Sequence, residues 1–137
     1  MRLLLLGLLC CVFWTAQAQR SNLKKLIRKD VKELSRIYEL DKEQKEAVLV
    51  IQEQYYIQLE EIAGLKDSDQ YRAYLYKLKS IRMGNQFELK KILRPDQWPA
   101  FEAERTRQEQ EYLNKLATLK ASGATKEKID LARIAIE

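Results

Sequence analysis

The adjacent carboxylates Glu60 and Glu61, the adjacent cysteines Cys10 and Cys11, and the glutamines Gln44 and Gln97 are the residues whose types and spacing invite a chemical reading. Glu60 and Glu61 could hold a hard cation, but a solvated helix face explains them better. Cys10 and Cys11 lie within an apolar run. Leu8 and Leu9 before them are bulky where a lipid-attachment site takes small residues, so the cysteines read as apolar filler. Helix capping accounts for both glutamines. The chain has no histidine, and no glycine-rich phosphate cradle or nucleophile elbow is recognisable. The expectation is no catalytic residue, no metal site, no cofactor and no small-molecule substrate.

Arg2, the apolar run from Leu3 to Trp14, and Ala16-Gln17-Ala18 form the pattern of a cleavable signal peptide over residues 1–18, cut after Ala18. The run is shorter than the roughly 18 residues that a membrane span requires. Cleavage removes both cysteines and leaves residues 19–137 as a single helical domain stabilised by packing alone. Of 25 basic residues, the loss of Arg2 leaves 24 against 20 acidic ones, a net charge of +4. Export and the interspersed acids argue against nucleic acid as a partner. The expected location is the periplasm.

Few residues interrupt the helical composition, and no segment alternates as a strand would. Apolar residues from Leu23 to Tyr38 return every three or four positions and predict a first helix from Asn22 to Tyr38. Asp41 and Gln44 form a capping box that opens a second helix, which runs to about Ile62 with Gly64 ending it. Lys66-Asp67-Ser68-Asp69 supplies a turn and a new N-cap. A third helix follows, with Tyr71, Tyr74, Leu75, Leu78, Ile81, Leu89 and Ile92 on one stripe. Gly84-Asn85 within it suggests a bend or close packing. Pro95 starts a fourth helix bearing Trp98 and Phe101. Residues 122–137 read as a loosely attached segment in which Thr125 caps a short helix. The expected fold is all-α, with about four helices in long antiparallel hairpins.

The outer face of the first helix is basic, with Arg28, Lys32 and Arg36 among its cations, and is a candidate contact for an acidic partner or a peripheral membrane surface. Tyrosines suit both cores and adaptable binding surfaces. Tyr55, Tyr71 and Tyr74 fall on the apolar stripes and are expected to pack. Tyr56 and Tyr76 fall off them and are the candidates for contact with a client or partner.

Leu40-Asp41-Lys42-Glu43-Gln44 and Leu93-Arg94-Pro95-Asp96-Gln97 repeat at an interval of 53 residues. Each has leucine at the end of one helix and glutamine at the start of the next. In this motif the chain resembles the LTxxQ-motif family of small periplasmic proteins, the Spy/CpxP-like group. The resemblance covers roughly residues 34–116 and rests most on Leu93, Pro95, Asp96 and Gln97. Asp41 and Arg94 stand where the family usually has threonine. Asp41 keeps an acceptor oxygen for capping, whereas Arg94 has none.

The resemblance implies a curved homodimer of helical hairpins that holds unfolded envelope proteins without ATP. Two other roles remain open: a CpxP-like regulator docked on the exported domain of a membrane sensor, and a structural envelope protein.

Overall fold

The computed structural model describes residues 21–134. Among the described residues the chain is all-helical, with five α-helices and no strand. They are α1 (residues 21–37), α2 (Lys42–Ile62), α3 (Tyr71–Ile92), α4 (Trp98–Ala121) and α5 (Lys126–Ile134). Residues 1–20, which include the expected leader, lie outside the described residues.

Local chemistry sets most of these boundaries. Leu40 N–H reaches back to Ser35 C=O at 3.2 Å, while Glu39 adopts a left-handed conformation with φ 51°. This is a Schellman stop built on a residue that is not glycine. Asp41 then caps α2, accepting from Gln44 N–H at 2.9 Å, and Gln44 Oε1 accepts from Asp41 N–H at 3.2 Å. Gly64 does not serve as a left-handed stop. It lies in a 3-10 turn, Ala63–Leu65, that continues α2. The N-cap of α3 is Gln70, without a side-chain cap; Ser68 instead braces the turn, accepting from Gln70 N–H and donating to Leu65 C=O.

The chain enters α4 through a 3-10 turn, Pro95–Gln97, where Pro95 sacrifices no needed N–H. At the far end, Gly123 takes φ 70°, and Ala124 N–H bonds to Leu119 C=O in a second Schellman stop. Lys128 N–H donates to Thr125 Oγ1 at 3.3 Å near the start of α5.

The core lies where the helix junctions meet. Tyr38, Leu40, Val48, Leu89, Leu93 and Phe101 are buried together, with Val31, Leu34, Ile37, Ile51 and Ile92 packed around them. Full burial of one such aliphatic or aromatic side chain contributes about 1.5–3 kcal/mol. The α2–α3 contacts run in opposite order along the two helices: Gln44 Nε2 reaches Ile92 C=O at 2.8 Å, and Gln52 Nε2 reaches Asn85 Oδ1 at 3.4 Å. A Cβ on Gly84 would meet nothing within 4 Å, so close packing is not why glycine stands there.

Long side chains bridge α3 to α4: Lys90 Nζ to Glu102 at 2.6 Å, Gln86 to Gln108 at 3.4 Å, and Arg82 to the Tyr112 hydroxyl. Helix α5 lies against both α3 and α4.

Candidate interaction surfaces

The six motif residues, Leu40, Asp41, Gln44, Leu93, Pro95 and Gln97, gather at one junction. Leu40 and Leu93 are buried in the core, and both glutamines are buried beside them. Gln44 Nε2 donates to Gln97 Oε1 at 2.8 Å, and Gln97 Nε2 lies 3.2 Å from Gln44 Oε1. Each amide also accepts from the cap N–H of its own motif, Asp41 or Arg94, and donates to a carbonyl at the end of a helix from the other unit, Ile92 or Tyr38. Buried amides that satisfy one another in this way hold a structure in register. The motif is therefore an internal clasp, with Pro95 exposed at its rim.

The Arg94 side chain has no acceptor oxygen, so only the Gln97 arm of its capping box exists, and the Gln97 N–H donates instead to the Arg94 C=O at 2.9 Å. Its guanidinium turns instead to the first motif, 2.7 Å from Asp41 Oδ2. Asp41 and Arg94, which hold corresponding positions in the two motifs, are thus paired with each other. Both are about half exposed, and an exposed pair contributes about 0.2–1 kcal/mol.

A cationic surface forms where α1 lies along α2. Arg28 and Lys32 of α1 line a cleft of about 520 Å³ together with Lys42 and Lys45 of α2. Val31, Ser35 and Leu49 provide its less polar lining, and Glu46 is the one carboxylate on it. Arg36 is exposed on α1 but does not line the cleft. Lys42 and Lys45 could not have been found from the charge pattern of α1 alone.

Tyr56 is not a free contact residue. It is half-buried and its hydroxyl donates to Asp30 Oδ2 at 2.6 Å, tying α2 to α1; burial and this bond raise the phenol above its ordinary range. Tyr76 is 55% exposed. Tyr71 is exposed rather than packed, its ring 5.8 Å from that of Tyr74. Tyr38 is buried beside Phe101, with ring centroids 6.1 Å apart, and burial followed by the nearby Glu104 charge raises its phenol to about 12. Arg107 donates to Glu104 at 2.6 Å and holds that carboxyl below its usual range.

Unexpected apolar exposure lies on α3. Met83 and Phe87 are 59% and 60% exposed and share a helix face with Tyr76, at spacings of seven and four. Leu75 and Leu89 are buried on the other side of the same helix. Cations accompany the exposed stripe, and Lys91 Nζ lies 4.5 Å from the centre of the Phe87 ring.

Among the described residues, no cluster of side chains could hold a metal ion, and no helix is long and apolar enough to cross a membrane. No family model, curated protein or solved structure matches the chain.

Proposed function

We propose that this chain is an exported, non-enzymatic protein-binding module that acts as an ATP-independent holdase, capturing unfolded proteins on its helical surface. The observation that carries this reading is the Tyr76, Met83 and Phe87 stripe, left open on a helix with six cations, Arg72, Lys77, Lys79, Arg82, Lys90 and Lys91, and one acid, Glu88. Large apolar side chains capture exposed hydrophobic segments, while flexible cations accommodate clients of varied sequence.

In this reading the helices work as long antiparallel hairpins, and two copies pair into a curved dimer in the periplasm. The motif resemblance to the LTxxQ family supports the same role.

The test is light scattering of an unrelated denatured enzyme with and without the protein at a stoichiometric ratio. Suppression of aggregation without ATP is the expected result. Unchanged aggregation in the presence of folded, helical protein rules the holdase out.

A second reading is favoured by one observation, the convergence of Arg28, Lys32, Lys42 and Lys45 on a single cleft. A regulator would use such a surface for one fixed acidic partner. Tight stoichiometric binding to one envelope protein, with no general capture of unfolded chains, would select it.

A further inference from the structure

The cationic cleft is made at an electrostatic cost. Arg28 and Lys32 face Lys42 and Lys45 across it with Glu46 as the one carboxylate on its lining. The chain carries 20 acidic residues from which counter-charges could have been placed. None of these four cations forms an ion pair among the described residues. Like charges gathered without compensation weaken a fold and are a mark of a surface awaiting an anionic partner.

The charge extends beyond the cleft. Lys25, Lys29 and Arg36 stand within seven residues of Lys32 at helical spacings that place them on the same side of α1, and all are exposed. Only two of the eight residues that line the cleft are apolar, half-buried Val31 and Leu49, which is 37% exposed. An acidic amphipathic helix needs a long apolar groove to receive its successive anchors. A broad field of cations around one small apolar slot fits an array of anionic groups with an apolar layer just beneath.

We propose that the α1–α2 face binds the surface of an anionic phospholipid bilayer, with the cations on headgroup phosphates and the Val31–Leu49 slot against the glycerol and upper acyl region. This surface is distinct from the α3 stripe, and the proposal does not depend on the holdase reading.

The protein as recovered from the producing cell, its N-terminus fixed by intact mass, is sedimented with vesicles of phosphatidylcholine alone and of phosphatidylcholine and phosphatidylglycerol in equal parts. Binding to the mixed vesicles, lost at high salt and absent with phosphatidylcholine alone, is expected. Each cation near an anionic surface contributes about fivefold in binding, so Lys32→Gln with Lys45→Gln weakens it on the order of twentyfold. Lys126→Gln with Lys128→Gln on α5 leaves it unchanged. All four positions are exposed, and circular dichroism checks that the fold persists.

Equal binding to both vesicles, no binding to either, or indifference to the Lys32 and Lys45 changes overturns the proposal. Soluble polyglutamate that binds this face while mixed vesicles do not also overturns it and assigns the surface to an acidic protein segment.

Discussion

Gln44 and Gln97 occupy the same place in the two motif units and meet inside the fold, Nε2 of the first 2.8 Å from Oε1 of the second. Truncating either takes one bond from the other amide and leaves a cap N–H and a helix-end carbonyl without the amide that satisfied them. Gln97→Ala should therefore cost about 2–3 kcal/mol in urea unfolding. A double-mutant cycle with Gln44→Ala should show the two losses to be non-additive by about 1 kcal/mol or more. Additive losses would mean the amides cap their own helices independently.

The Asp41–Arg94 pair predicts a smaller and asymmetric effect. Asp41→Ala removes both the N-cap of α2 and the ion pair, and should cost about 1–2 kcal/mol. Arg94→Ala removes half-exposed contacts to Asp41, Asp96 and Gln44 Oε1 but no cap, and should cost about 1 kcal/mol or less, declining with added salt. Equal costs for the two variants would contradict this division.

Two backbone sites should tolerate, and profit from, substitution. At Gly84 an added Cβ enters open space in mid-helix, so Gly84→Ala should raise stability by about 0.5–1 kcal/mol. Glu39 holds φ 51° at the end of α1, and Glu39→Gly should raise stability by about 1 kcal/mol by relieving left-handed strain. Thermal melts read both, and a fall in melting temperature for either would refute its assignment.

Alkaline pH should destabilise the protein in part through Tyr38, alongside Tyr56 and Tyr55, whose phenols are also raised. Its phenol stands at about 12 in the fold against 10.0 as its ordinary value, because burial and Glu104 disfavour the anion. A raised pKa contributes stability that is present in full below the unfolded value and is lost as pH rises through the folded one. Stability should thus begin to fall near pH 10 and go on falling to about pH 12. Tyr38→Phe should flatten that decline while leaving the Tyr38 carbonyl that Gln97 uses. An unaltered alkaline profile in Tyr38→Phe would place the titration elsewhere.

The α3 stripe separates capture from folding. Met83→Ser with Phe87→Ser changes side chains that are 59% and 60% exposed, so the melting temperature should stay near that of the parent chain. Aggregation suppression should fall severalfold. Full suppression by the double variant would remove this stripe from the binding surface.

Helix identity was legible wherever neighbours in sequence decide it. Asp41 and Gln44 set the start of α2 through bonds three residues apart, and Pro95 with Gln97 marked the entry to α4 in the same way. What needed a second helix was not legible. Tyr56 lies off the apolar stripe of α2 and looks free until α1 brings Asp30 against it. Tyr71 lies on the stripe of α3 but at its first turn, and remains exposed.

Arg94 looks like a defect in a capping motif when read alone. It becomes a partner when folding returns it to Asp41 across 53 residues. The cationic cleft was half visible for the same reason: Arg28 and Lys32 stand out in α1, whereas Lys42 and Lys45 join them only through packing.

The buried glutamine pair also bears on how the molecule opens. It ties the entries of α2 and α4 to the ends of α1 and α3, while the distant ends of α3 and α4 share α5, none of whose residues is buried. Amide protons near Gln44 and Gln97 should exchange only on global unfolding, and those of α5 by local fraying. Opening would then begin at α5 while the glutamine clasp stays shut, and α3 and α4 would part there and close again without dissolving the core.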